Sequence, residues 1–387
     1  MSKKPDPGTD YAAIAVVYGL ICLFAVAQGF CYPLFSLLME KQNVSSSLIG
    51  LNSAMTPLGL LLSAPLIPRW AQVLGAGRLA LFSVLALAFL IAAAGIWQSL
   101  WLWFPVRFLL GVAINGLYIT SETWINQLAG TRNRGKILGL FSASLSIGFA
   151  LGPLIIAVVG SAGWMPFATV IAIVLMSVPV LLATMSRLPE FEVTESHSVI
   201  DFIPSAKFLM FIVAAAAVFD QVTLVLLPVY GLSMGLSEAV MATAIGIMVL
   251  GNIFLQFAIG WCADFWSRRG MLVTLCLLVM IGCLLLPSAT AHNWYLWTLI
   301  FFWGAAGYGT YTIALVELGD RYTGATLLTA NAAFSVMWGL GGFSGPPITG
   351  YAMDVLGPNG LPYMLFILFG VLLAVSLVKY PLRKLAS

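Results

Sequence analysis

Apolar residues run along this chain in long blocks separated by short polar turns. Twelve blocks cover residues 11–38, 46–68, 78–97, 100–126, 136–159, 164–186, 207–232, 237–261, 270–289, 293–317, 325–350 and 361–379. A helix rises ~1.5 Å per residue, so ~20 apolar residues cross a hydrocarbon core of ~30 Å. Inside a bilayer the backbone must satisfy its own hydrogen bonds, and blocks of this length do so as helices. The pattern predicts an all-α membrane protein with 12 transmembrane helices and no sizeable soluble domain. The first block is too long, and too polar at Gln28, for a cleaved signal peptide.

Composition strengthens this reading. Of the 387 residues, 61% are hydrophobic and 8% charged, whereas a soluble chain carries about 25% charge. The cations fix an orientation. Odd-numbered turns hold one, Lys41. Even-numbered turns and the two termini hold fifteen: Lys3, Lys4, Arg69, Arg78, Arg132, Arg134, Lys136, Arg187, Lys207, Arg268, Arg269, Arg321, Lys379, Arg383 and Lys384. The positive-inside rule then puts both termini in the cytoplasm. The net charge of +3 reflects that bias and is no sign of nucleic-acid binding. Cys22, Cys31, Cys262, Cys276 and Cys283 lack metal-ligand spacing and read as buried small residues. His197 and His292 lie in or beside turns, so no Ser/His/Asp or Cys/His set forms inside the spans. The chain reads as no enzyme, with no metal and no cofactor.

The chain also repeats itself. At a shift of 193 residues Gly111 meets Gly304, Gly116 meets Gly309 and Tyr118 meets Tyr311. Phe141-Ser142 meets Phe334-Ser335, Gly148 meets Gly341, Gly152-Pro153 meets Gly345-Pro346, and Gln28 meets Gln221. The shift spans six helices, an even number, so the halves share one orientation and form a parallel repeat. The expected organisation is a six-helix bundle over 1–186, a polar cytoplasmic linker over 187–206 and a second bundle over 207–387.

Two such bundles resemble the major facilitator superfamily, whose fold is 12 transmembrane helices in two pseudo-symmetric six-helix bundles. That family carries G-x-x-x-D-[RK]-x-G-[RK]-[RK] after its second and eighth helices. GWCADFWSRR matches it at Gly260, Asp264, Arg268 and Arg269 and departs at Phe265 and Ser267. The first copy has lost the aspartate and keeps only Arg69 and Arg78 as cations. The R-x-x-x-G of the fourth helix is Arg107 and Gly111. E-[ST]-W-[IL]-N followed by R-x-R-G looks like the YcaD-like branch, on Glu122, Trp124, Asn126, Arg132, Arg134 and Gly135. The resemblance implies a monomeric transporter in a bacterial cytoplasmic (inner) membrane. It would be a symporter or antiporter that moves a small molecule by alternating access, with protons as the coupling ion.

Spacing then nominates residues. Arg107, Gly111, Asn115, Tyr118, Glu122 and Asn126 share one helical face. A charge facing lipid is costly, so this face is expected to look into protein or a water-filled cavity. Glu122 either handles protons or substrate, or closes the helix end against Arg132 or Arg134. Asp220 stands ~18 Å into its span, the one acid near a midplane, beside Gln221. It either carries the coupling proton, or makes a charge switch by pairing with Arg107, or is a structural acid. Tyr32, Tyr118, Tyr308 and Tyr311 read as cavity aromatics that favour an amphipathic or aromatic solute; Gln28, Gln221, Asn115, Trp124 and Asn126 complete the cavity set. Asn252 and Gln256, at i and i+4, either line the cavity or bond a neighbouring helix. Gly152, Pro153, Gly345 and Pro346 serve gating or close packing. Asp264, Arg268 and Arg269 form the expected gating lock. Fifteen methionines, with Met234, Met241 and Met248 every seven residues, raise soft-metal (copper) transport as an alternative. A lipid-handling protein and a non-transporting sensor on the same fold are the others.

Overall fold

The apolar blocks fold as helices, and at a few block edges a polar side chain caps the first turn. The computed structural model describes residues 10–129, 134–185, 188–189, 202–265, 267–322 and 324–379. Asp10 opens α1 (Tyr11–Lys41) by accepting the amides of Ala12 and Ala13 at 3.1 Å each. Two shorter helices follow, α2 (Ser46–Ser63) and α3 (Ile67–Leu74), then α4 (Ala76–Ile96), α5 (Leu100–Leu128) and α6 (Arg134–Val159). The first half ends with α7 (Met165–Leu175) and α8 (Ser177–Thr184). The second half begins with a short 3₁₀ turn at Ile203–Ala206 and α9 (Lys207–Ser233). It continues with α10 (Glu238–Phe265), α11 (Arg268–Ala289), α12 (Asn293–Arg321), α13 (Gly324–Leu356) and α14 (Gly360–Lys379). The Ser267 hydroxyl caps α11 by accepting the Gly270 amide at 2.9 Å, supplying one of the partners a first turn lacks. No strand occurs among the described residues.

The helices follow the twelve blocks with two breaks and one surprise. The second block is not one straight span: α2 and α3 meet at 62°. Pro65 and Pro68 flank the break, and neither can donate to a continuing helix. The sixth block divides at Met176, just ahead of Pro179. Among the described residues ten helices are long and apolar enough to cross a membrane, or eleven with α2 and α3 as one span. The surprise is α13, 33 residues long but outside that set. Its glycines, prolines and hydroxyl residues make it the least oily of the long helices.

Contacts divide the chain into two units: residues 1–31 with 58–194, and residues 32–57 with 195–387. In the first unit, α1 and α6 touch backbone to backbone. A Cβ at Gly148 would collide with the Cys22 carbonyl oxygen, and one at Gly152 with the backbone of Gly29 and Phe30. The fully buried Trp103 donates its indole N–H to the Ala94 carbonyl at 3.2 Å, tying α5 to α4. In the second unit, α13 lies on α9 in the same way, with Gly341 against Ala214 and Ala217 and Gly345 against Val218. Gly148 and Gly341, and likewise Gly152 and Gly345, which align at a shift of 193, therefore each face the first long helix of their own half. Pro153 and Pro346 sit inside unbroken helices beside them.

This packing makes a direct prediction. Gly152→Ala has no room for its methyl, because the nearest atoms belong to backbone, which moves only with the whole helix. The expected cost is about 1–3 kcal/mol, the range for overpacking. Thermal melts in detergent check it: Gly152→Ala melts below wild type, whereas Gly139→Ala, with open space around its Cα, does not.

Candidate functional site

The polar residues inside the spans are held mostly by contacts within their own unit. In the first unit, Arg107 is 2% exposed and donates from Nη2 to the Cys31 carbonyl at 3.2 Å. Asn115 donates from Nδ2 to the Leu60 carbonyl and to Ser63 Oγ, both at 2.9 Å, which ties α5 to the end of α2. Tyr118 is half-buried, its ring 5.4 Å from that of Phe24. Glu122 is exposed, one turn beyond. Asn126 turns back on its own helix and donates to the Glu122 carbonyl at 2.8 Å. Trp124 is fully buried and donates to the Pro189 carbonyl at 2.9 Å. The stripe predicted from spacing is thus one helical face whose members have different tasks. Arg132 and the side chains of Arg134 and Gly135 lie outside the described residues, as does most of 187–206. Gln28 and Tyr32 are buried at 7% and 2% exposure.

The second unit contains the most developed polar cluster. Asp220 stands near the middle of the 27-residue α9 and is 8% exposed. Its Oδ1 accepts the Tyr308 hydroxyl at 2.9 Å, and its Oδ2 accepts the Gln221 amide N–H at 2.9 Å. Tyr308 reaches it from α12, with its ring set edge-on to Phe219 at 5.9 Å. No salt bridge involving Asp220 occurs among the described residues. The cation proposed for it from the sequence, Arg107, has its described hydrogen bond to Cys31. The Gln221 Oε1 is buried and has no hydrogen-bond partner. Asp220 and Gln221 together therefore present an acceptor-rich face, with one acceptor left open.

A second polar row crosses from α12 to α10. Thr312 Oγ1 donates to Gln256 Oε1 at 2.5 Å, and Gln256 Nε2 donates to Asn252 Oδ1 at 2.6 Å. Asn252 and Gln256 thus bond each other and a neighbouring helix, and all three are half-buried. Tyr311 stands edge-on to Trp338 at 5.0 Å. Of the three methionines at seven-residue spacing, Met241 covers Gly231 and Met248 covers Gly304, both from α10, while Met234 is exposed just past α9. Among the described residues no group of three or more His, Cys, Asp or Glu is placed to hold a metal ion.

At the other end of α10, Arg268 has a definite partner that the sequence did not reveal. Its Nη2 lies 3.0 Å from Asp320 Oδ2, its Nε donates to the same oxygen at 3.2 Å, and its Nη1 donates to the Ala263 carbonyl at 2.9 Å. Arg269 donates to the Leu377 carbonyl at 2.7 Å. The side chain of Asp264 lies outside the described residues. Glu317 is buried and pairs with Arg321 one turn along α12. That i, i+4 pair was open to a spacing argument; the Arg268–Asp320 pair, 52 residues apart, was not.

Comparison with known proteins places this arrangement. The family model described as Major Facilitator Superfamily matches residues 17–208 and 209–385. An uncharacterized MFS-type transporter of Bacillus subtilis, YfkF, is 26% identical over 368 residues, covering 93% of this chain and 94% of that protein. An uncharacterized MFS-type transporter of Yersinia enterocolitica is 25% identical over 377 residues, covering 96% and 95%. Among solved structures, a point mutant of the nucleoside transporter NupG superposes with a TM-score of 0.80 at 13% identity, over 97% of this chain and 100% of that one. A bacterial homologue of the human lysosomal transporter Spinster, inward-facing and unoccupied, gives 0.76 at 13% identity, over 96% of each chain. These structures share the fold. The chain belongs to the Major Facilitator Superfamily: it is an integral membrane protein with that superfamily's all-α transporter fold.

Proposed function

We propose that this transporter moves a small organic solute by alternating access between bundles 1–186 and 207–387, joined by 187–206, and that protons drive it through Asp220. The observation that carries the reading is the Asp220 cluster. A carboxylate in the middle of a span is costly, yet this one is held by Tyr308 and Gln221, with the Gln221 Oε1 left open. A purely structural acid would be expected to use up its neighbours' hydrogen-bonding capacity; an open acceptor leaves a place for a donor that comes and goes. The fold shared with a nucleoside transporter is compatible with an organic cargo. The even-turn cations support an orientation with both termini in the cytoplasm of a bacterial inner membrane. Kinship with the YcaD-like branch rests on Glu122, Trp124 and Asn126 and the basic turn after them.

Two outcomes are expected. A cargo is first identified by thermal-shift screening of purified protein against vitamins, drugs, amino acids, nucleosides and metals. In proteoliposomes, Asp220→Asn then abolishes transport driven by a pH gradient and spares substrate exchange at equal pH, since the cycle no longer waits for a proton. Full gradient-driven transport by this variant removes Asp220 from the mechanism and makes Glu122 the leading carrier. Lost exchange together with a lowered melting temperature makes Asp220 structural.

Tyr308→Phe removes one donor from the carboxylate and keeps the ring. It is expected to shift the pH profile of transport while leaving the fold intact. The effect should vanish in the Asp220→Asn background, because interacting neighbours are non-additive. Equal shifts in both backgrounds would place Tyr308 elsewhere in the mechanism.

A further inference from the structure

Residues 32–57 group with 195–387 in one compact unit. Two charged contacts hold them. The Asp354 carboxylate, at the end of α13, accepts the Ser46 amide on Oδ1 at 2.8 Å and the Ser47 amide on Oδ2 at 3.0 Å. These amides open α2, where a helix has no partners of its own for its donors and where its dipole favours an anion. Lys41, the last residue of α1, pairs with Glu238, the first of α10, at 2.5 Å. Between these contacts the backbones touch. A Cβ at Gly50 would collide with the Pro346 carbonyl oxygen, and one at Gly350 with that of Ser46.

Two features oppose this closure. Asn52 is 0% exposed, and neither its Nδ2 nor its Oδ1 has a partner. Buried amides left without hydrogen bonds are destabilising, and asparagine within membrane helices ordinarily bonds across to a neighbour. Glu40 also places a like charge beside Asp354. The same segment is therefore held at its rim and penalised one helical turn deeper.

We propose that the turn between α1 and α2 is a reversible outer latch, closed by Asp354 on the first turn of α2 and biased toward release by Asn52, which gains water or a partner when α2 lifts from α13. The proposal rests on the alternating-access reading above. In the cycle, residues 32–57 leave α13 to open the outer end, and the opposed terms keep both states populated. A latch with no counterweight would stay shut, since a ligand shifts an equilibrium only by its differential affinity for the two states.

Ile49, 1% exposed and beside Asn52, supplies the reporter. The full chain carrying Ile49→Cys is labelled in right-side-out vesicles with a membrane-impermeant maleimide, against the unsubstituted chain as background. Asp354→Ala is expected to raise the labelling rate about fivefold, the size of a lost helix cap. Asn52→Leu is expected to lower it, and the double variant to fall between. A rate unchanged by Asp354→Ala, or not lowered by Asn52→Leu, overturns the proposal. If Asp354→Ala does not fold, Asp354→Asn, which keeps the shape and loses the charge, must show a smaller rise, and no rise overturns the proposal equally. Labelling only from the side that holds the termini would instead defeat the proposed orientation, while the ratios between variants still test the latch.

Discussion

In a hydrocarbon solvent, helices gain little by burying apolar side chains against one another, so association depends on how closely their backbones approach. This constraint shapes both units. Gly148 and Gly152 bring α6 onto α1, and Gly341 and Gly345 bring α13 onto α9. At Gly59 and Gly251 a Cβ would strike a carbonyl oxygen of the next helix, Phe108 in one case and Phe301 in the other. Where two helices lie this close, a polar side chain has only neighbouring backbone or another side chain to bond. That is why Asn115, Trp103 and Trp303 all donate to main-chain carbonyls across a helix pair. The polar groups left over, with partners of unusual kind or with none, stand out against that background.

Asp220 is the clearest of them. Two donors from uncharged side chains hold its carboxylate, and no ion pair accompanies it among the described residues. A fixed ion pair would lock the charge in place, because removing one partner strands the other. Neutral donors leave no partner charge to be stranded, which is the arrangement the proposed proton role requires. The Thr312–Gln256–Asn252 row is different in kind: both amide oxygens in it have a donor, and it ties α12 to α10.

Much of the fold was legible because hydropathy and repeat register are long-range signals. The helices fell on the blocks, and the glycine register at 193 residues marked the contacts that both halves share. Pro65 and Pro68 were visible too, but a block read by apolarity alone runs through them, so the 62° bend was missed. Among the candidate residues, depth singled out Asp220, its neighbour Gln221 was marked by its repeat partner Gln28, and the face matching that of the fourth block flagged Tyr308 and Tyr311. Which tyrosine would reach the carboxylate was not legible, since Tyr308 and Tyr311 lie under a turn apart and face Asp220 and Trp338 respectively. Arg268–Asp320 and Asp354 with the first turn of α2 join segments 52 and 308 residues apart, distances over which no local pattern operates.

The same glycine rule joins the two features that the spans could not reveal singly. A methyl at Gly342 would stand 3.0 Å from Gln221 Cγ and 3.2 Å from Pro57 Cγ. Gln221 is the Asp220 partner with the open acceptor; Pro57 closes the segment of α2 that the Asp354 contact holds. Both side chains thus rest on one point of α13, eight residues before Gly350, where Ser46 meets the same helix. In the proposed cycle, a shift of Gln221 toward a donor would change the surface on which Pro57 sits. The proposed release of α2 would remove Pro57 from beside that same point of α13. Physical coupling needs such a shared element with two arrangements, and α13, threaded with glycine and proline between its contacts, is the helix in this chain best composed to supply it.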